Sequence, residues 1–328
     1  MHAIRLHAFG PAENLRYEEL DAPRAAAGQV RIAVEAAGVH LIDTRLRAGV
    51  RMGPLPLPEL PAIPGREVAG RVDAVGDDVD GSWHGRRVVA HLGAGGGGGY
   101  AEHVVAGAGA LHALAGHVDA QAAVAAIGTG RTALGILEIA ALSAQDTVLI
   151  PAAAGGVGAL LVQGALRAGA EVVALAGGPA KVERARALGA TFAFDYTDDR
   201  WPATVRDRLD GAGVSVVLDG VGGATGRAAL DLLGPGGRMV VFGWSSGAPS
   251  ELTTLDVAGR GITIDGALGP RMLALPGGIR GLETRALDAV STGALTPLVD
   301  TPYALADAAA AHAALEARGT VGKVVLLP

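Results

Sequence analysis

The residues of this chain best placed to do chemistry lie in one run, TVLIPAAAGGVGALLVQGALRAGAEVVALAGG, at 147–178. Ala152, Gly155 and Gly158 stand at the spacing of a dinucleotide-binding turn, with alanine in the first place. Such a turn must be tight, and its backbone must come close to a diphosphate, so side chains are excluded where the phosphates sit. The helix that follows presents unpaired N–H groups and the positive end of its dipole to the same anion. Ala154, Gly155, Gly156, Val157 and Gly158 are therefore expected to hold a dinucleotide. A glycine-rich strand-to-helix turn also occurs for packing alone. The strand before it and the helix and second strand after it favour the cofactor reading.

A site that prefers NADH ends its second strand in a carboxylate that accepts a bond from the ribose 2′-hydroxyl. Here positions 172–178 read Val, Val, Ala, Leu, Ala, Gly, Gly and offer none. A 2′-phosphate at Gly177 would meet no repulsion, while Lys181 and Arg184 follow on the next helix and Tyr196 comes just after the third strand. This points to NADPH. The competing reading makes Lys181 and Arg184 a solvated helix face and lets NADH bind equally well.

These groups must be carried by a βαβ array. Strands are expected at 147–150, 171–176, 191–195, 214–220 and 237–243, separated by helices at 157–168, 180–188, 200–209 and 224–233. Runs this apolar suit parallel strands covered on both faces. The N-terminal ~110 residues differ, reading as short strands (IRLHAF, QVRIAVEAAGV, REVAGRVDAVG, RRVVAHL, YAEHVVA) broken by turn residues, as in a small barrel or sandwich. The expected division is 1–119, 120–265 for the nucleotide domain, and 266–328 returning to the first domain; after a linking region a strand ITIDGAL, a helix RGLETRALDAVSTG and a terminal strand TVGKVVLLP are expected.

Composition removes several alternatives. At 328 residues, 50% hydrophobic and 18% charged, the chain has ample core for two domains. A net charge of −6 with no basic run makes nucleic acid a poor partner. No unbroken apolar stretch reaches the roughly 18–20 residues of a membrane span, and MHAIRLHAFG has no signal-peptide core, so a cytoplasmic protein is expected. With no cysteine there is no disulfide, no thiolate nucleophile and no Cys-ligated zinc.

Several longer motifs, IPGREVAGRVDAVG (63–76), GGYAEHVV (98–105), PAAAGGVGALLVQ (151–163), KVERARALGA (181–190), VVLDGVGG (216–223), GRMVVFG and GKVVLLP, resemble in kind and order the zinc-independent quinone oxidoreductases of the medium-chain dehydrogenase/reductase superfamily. The resemblance implies an α/β fold, a Rossmann doubly wound parallel sheet plus a GroES-like β-barrel catalytic domain, with a cofactor cleft between the two. It also implies a homodimer joined through ITIDGAL. By the same likeness Thr129, Thr132, Val221, Gly222, Phe242, Gly243, Gly322 and Lys323 are cofactor contacts. Gly322 as a plain turn and Lys323 as solvated surface are the alternatives.

Departures from the family bear on the substrate. Zinc-dependent relatives place a cysteine after the AAGV strand and a histidine after the later PG; this chain has AAGVHLIDTR and Arg66 there, so no metal is expected. Without a Lewis acid, quinones and activated alkenes are the easier hydride acceptors, because charge delocalises onto a conjugated oxygen. Many relatives carry an asparagine and a tyrosine where this chain has His40 and Arg45, flanking Asp43 and Thr44. His40 would donate a proton or hydrogen bond to the acceptor. Asp43 and Arg45 would act on it or on each other, and Arg66 would pair near Glu67 or steer phosphate. Trp244 would narrow the pocket or stack on an aromatic acceptor. Each has a structural alternative: a packed histidine, a local Asp43–Arg45 pair, a Trp244 that covers apolar surface. The glycine run 95–99 reads as a mobile lip or as a passive loop. NADPH-dependent quinone reduction is the leading expectation. Enone or alkenal reduction, or a nucleotide-binding protein with little turnover, are the alternatives.

Overall fold

The computed structural model describes residues 1–51, 56–93 and 97–328. Gly95 and Gly96 of the glycine run lie outside the described residues. The strands in chain order are β1 (His2–Leu6), β2 (Leu15–Glu19), β3 (Gln29–Val39), β4 (Glu67–Val75), β5 (Arg87–His91), β6 (His103–Gly107) and β7 (Leu111–Ala113). There follow β8 (Thr147–Ile150), β9 (Glu171–Ala176), β10 (Phe192–Asp195), β11 (Val214–Asp219), β12 (Leu233–Val241), β13 (Thr263–Gly266), β14 (Tyr303–Ala304) and β15 (Val324–Leu327). The chain divides into two compact units, Met1–Thr129 with Glu283–Pro328, and Gly130–Leu282.

In the first unit a sheet runs β14-β15-β3-β4-β5-β7, and β6 also pairs with β3. β3 is its spine. Val30, Ile32 and Val34 alternate into the core, and the stretch after Val34 turns small because Ala36, Ala37 and Val39 are buried on both faces. After β3 comes helix α1 (Leu41–Arg47), which the sequence reading did not anticipate. Its first residue is preceded by His40 rather than by a Ser, Thr, Asp or Asn that would announce a helix start. β2 was also unread, because its LRYEE sequence is mostly polar and exposed.

The second unit is a six-stranded sheet in the order β10-β9-β8-β11-β12-β13, parallel at every pairing. Numbered within the unit this is 3-2-1-4-5-6, the dinucleotide-binding order, and the order reverses between β8 and β11. β8, β9 and β11 are buried almost throughout, which explains their unalternated apolar sequences. β12 starts at Leu233, earlier than read, because Leu233 is buried while the glycine and proline after it mimic a turn.

The segment Ala120–Ala140 is helical for 21 residues and includes an 18-residue stretch with a mean hydropathy of 1.3, enough for comparison with a membrane span, yet 61% of that stretch is buried in the protein. Ala123, Val124 and Ile127 pack against Ala36, Ala69, Val89 and Val325 of the first unit, as a core helix does.

Candidate active site

The glycine turn connects β8 to helix α2 (Gly156–Arg167). Ala153 N–H donates to the Leu175 carbonyl (2.9 Å) and Gly155 N–H to the Ala152 carbonyl (2.9 Å), closing the tight loop. Ala152 is left-handed, with φ of 53°, which explains why glycine is the common choice at this first position. Ala152→Gly should therefore raise the unfolding free energy by about 0.5–1 kcal/mol, the relief of left-handed strain less glycine's extra chain entropy. Thermal denaturation checks it. A Cβ at Gly158 would overlap the Ala152 carbonyl and lie 2.9 Å from Ala153 Cα, so that glycine serves helix-to-strand packing. Gly155 is the N-cap of α2, no side chain caps it, and Gly155, Gly156 and Val157 are half-buried. The first N–H groups of the helix are thus left for an anion.

At the end of β9, Gly177 lies against the Tyr196 ring: a Cβ there would be 3.4 Å from the hydroxyl oxygen. Lys181 is in the first turn of α3 (Pro179–Ala187) and half-buried, whereas Arg184 is exposed in its last turn. The sequence reading sought an acid on β9 and missed one that β10 delivers to the same place. Asp195 Oδ1 accepts from Gly178 N–H (2.9 Å), Thr197 N–H (2.9 Å) and Thr197 Oγ1 (2.7 Å). The Gly178 and Thr197 donors hold its carboxyl below the ordinary range, so it stays ionised while committed to the loop it braces.

The ends of β11 and β12 carry the remaining expected contacts of this unit. Val221 and Gly222 are buried, Phe242 and Gly243 half-buried, and Trp244 exposed. Thr132 sits in the first turn of the helix Arg131–Ala140. Sequence reasoning missed Asp219, the buried last residue of β11, whose Oδ1 accepts from Val221 N–H (2.8 Å) and Gly222 N–H (3.0 Å). Its signal was present: a lone aspartate ending an apolar strand before a glycine cluster.

The first unit contains a buried ionic cluster. His40 Nε2 lies 2.7 Å from Glu67 Oε1 and 3.0 Å from Lys323 Nζ, and Lys323 is ion-paired to the same carboxylate. Glu67 is 0% exposed and Lys323 4%, so Lys323 is not a solvated surface lysine. Burial alone would raise the Glu67 carboxyl; the charges of His40 and Lys323 outweigh it and hold that carboxyl far below its ordinary range. A Cβ at Gly38 or Gly128 would overlap the Glu67 carboxylate, which is why both are glycine. Gly128 and the buried Thr129 belong to a π-helical turn, Ala125–Gly130. Gly322 is left-handed (φ 67°), and a Cβ on it would run into the Leu298 backbone, so the turn requires glycine.

Asp43 is buried with both oxygens occupied. Oδ1 accepts from Arg66 Nε (3.1 Å), and Oδ2 from His40 N–H (2.8 Å) and the Tyr100 hydroxyl (3.3 Å). Tyr100 also meets His312 Nε2 (3.1 Å), an imidazole that burial pushes down to about 4, with Asp43 opposing the drop and Arg47 adding to it. These bonds make Asp43 a brace for His40 and Arg66. Arg45 points from another face of α1 and makes no side-chain hydrogen bond among the described residues. Neither it nor Asp43 forms the local pair that their spacing suggested.

Comparison with known proteins fits these two units. A model described as "Alcohol dehydrogenase GroES-like domain" matches residues 26–116, and one described as "Zinc-binding dehydrogenase" matches 156–282. The metal in that second description has no thiolate ligand to find here, and the Arg66 guanidinium is a permanent cation bound to Asp43. The chain is 33% identical to a quinone oxidoreductase of Pseudomonas aeruginosa over 99% of each sequence. It is 32% identical to a 2-haloacrylate reductase of a Burkholderia species, over 99% of this chain and 98% of the other. A crystal structure of Escherichia coli quinone oxidoreductase complexed with NADPH superposes with a TM-score of 0.88 at 27% identity, covering 100% of both chains. A parallel sheet in dinucleotide-binding order, a GroES-like unit and identity over almost the full length together show that the chain belongs to the quinone oxidoreductase family of the medium-chain dehydrogenase/reductase superfamily.

Proposed function

We propose that this protein is an NADPH-dependent oxidoreductase that passes a hydride to a quinone without a zinc ion, and that it works as a cytoplasmic homodimer. The observation that carries the reading is the uncapped, half-buried glycine turn at the carboxyl end of a 3-2-1-4-5-6 sheet. Among the described residues only the Ala152 carbonyl, at 3.2 Å, approaches the place of a Gly155 Cβ, and none approaches that of Gly178, so the cradle fits a dinucleotide. Residues 154–158 would hold the diphosphate, Gly177, Lys181 and Tyr196 the 2′-phosphate, and Thr132, Val221, Gly222, Phe242 and Gly243 the nicotinamide half. Thr129, Gly322 and Lys323 keep their expected place near the cofactor by family likeness.

The bound cofactor supplies the hydride. The protein's part is to orient, to exclude water and to leave the acceptor's oxygen able to take a proton. His40 Nε2 is shared between Glu67 and Lys323, so that nitrogen is not free to protonate a carbon. A quinone collects its proton on oxygen and depends less on a placed acid than an enone does. The related 2-haloacrylate reductase supports activated-alkene reduction as the second reading. The proposed dimer uses β13, one of the two edge strands of its sheet, which is followed along the chain by the exposed Leu268 and Leu273.

The test follows NADPH and NADH oxidation separately against quinones, enones and alkenals, with and without a chelator. Quinone turnover should favour NADPH by tenfold or more and ignore the chelator, and Lys181→Glu should cut the NADPH preference by about tenfold, the worth of one charged phosphate contact. Equal use of both cofactors overturns the NADPH assignment. Tight binding with no turnover across the panel overturns the enzyme.

A further inference from the structure

Trp244 stands out among the three tryptophans: Trp201 is 6% exposed in a core and Trp83 packs beneath Arg86, while Trp244 is 49% exposed. An indole left in water usually moves on a flexible loop. The backbone of this one is held. Beyond the ends of β11 and β12 the two segments continue as a hydrogen-bonded zipper: Phe242 N–H to the Asp219 carbonyl (2.8 Å), Ser245 N–H to Gly220 (3.0 Å), Ser246 N–H to Val221 (2.8 Å) and Gly223 N–H to Ala248 (2.9 Å). Gly222 is left-handed and packs so close that a Cβ on it would lie 2.7 Å from Trp244 Cβ. The backbone under the indole therefore has no room to shift.

Asp219 holds this shelf together. Besides the two N–H groups on Oδ1, its Oδ2 accepts from Ser250 Oγ (3.1 Å), which ties in the far end of the loop after Trp244. The Asp219 side chain is 0% exposed and takes up all three donors, and without it the Val221 and Gly222 N–H groups would be orphaned.

An exposed indole on a held backbone at the carboxyl end of a doubly wound sheet lies where ligands of this architecture bind. Its π-face is electron-rich, the complement of an electron-poor flat ring. Resting on the reading of the protein as a quinone reductase, we propose that Trp244 is the face on which the acceptor stacks, that it selects fused-ring quinones over single-ring or open-chain acceptors, and that Asp219 positions it.

The experiment compares kcat/KM for 9,10-phenanthrenequinone and 1,4-benzoquinone in wild type, Trp244→Ala, Trp244→Phe, Asp219→Ala and Asp219→Asn. Protein fluorescence quenching by phenanthrenequinone is titrated alongside. The preference for the fused ring should fall about tenfold in Trp244→Ala, the size of one aromatic contact, and less in Trp244→Phe. Asp219→Ala should reproduce the loss and Asp219→Asn, which keeps an accepting oxygen, should restore it. Saturable quenching should vanish in Trp244→Phe. An unchanged preference in Trp244→Ala, or a change confined to the oligomeric state, overturns the inference and leaves quinone reduction intact. Quenching that depends on Trp244 in a protein that reduces no quinone would instead sink the enzymatic reading and keep the stacking face.

Discussion

Lys323→Met should lower the unfolding free energy by about 3–5 kcal/mol at neutral pH, because it leaves the buried carboxylate of Glu67 without its ammonium partner. Denaturant unfolding of the two proteins measures the difference. Removing both charges in Glu67→Met/Lys323→Met should cost far less than the single change, since a matched apolar pair needs no compensation. The pH dependence carries a sign. The folded-state carboxyl of Glu67 is held below its ordinary value, so its contribution is present above the unfolded-state pKa of ~4.3 and fades as the pH falls through the folded value. In Lys323→Met the same carboxyl is driven up by burial and becomes neutral in mild acid. The gap between the two proteins should therefore be widest near pH 7 and narrow below about pH 4. A constant gap across that range would show that the pairing is not what stabilises this part of the first unit.

Gly155→Val should weaken NADPH binding by about 100-fold, roughly 2.7 kcal/mol, and leave the unliganded protein close to wild type in stability. The backbone of Gly155 is extended, with φ −81° and ψ 170°, a conformation open to any residue, so the added side chain costs the chain only a small shift of the Ala152 carbonyl, 3.2 Å from the Cβ position, and is resisted mainly by the ligand. The neighbouring glycine gives the contrast. Gly158→Val drives its Cβ into the Ala152 and Ala153 backbone and should destabilise the apo fold itself. Thermal shifts with and without NADPH separate the two: a ligand at 100 times its Kd stabilises by about 2.7 kcal/mol, and Gly155→Val should forfeit nearly all of that. If Gly155→Val binds NADPH as tightly as wild type, the diphosphate does not lie against this turn.

Much of the second unit was readable in one dimension. The strand boundaries of β8 and β9 and the helix between them agree with the expectation to within a residue, because local apolar runs and glycine punctuation report directly on a buried parallel strand and a tight turn. α1 and the alanine-rich helix Ala308–Glu316 were not readable: the first lacks a recognisable cap, and the second has too little contrast between its faces to show a helical period.

The sequence alone determined the class of ligand, since a diphosphate cradle depends on residues adjacent in the chain and on the absence of side chains at set spacings. The tertiary structure decided the partners. His40, Glu67 and Lys323 are separated by up to 283 positions yet share one carboxylate, in a space kept open by Gly38 and Gly128. Asp195 reaches Gly178 only because β10 lies beside β9. Burial, and the charges that burial forces together, depend on which strands become neighbours, and no local run of residues records that.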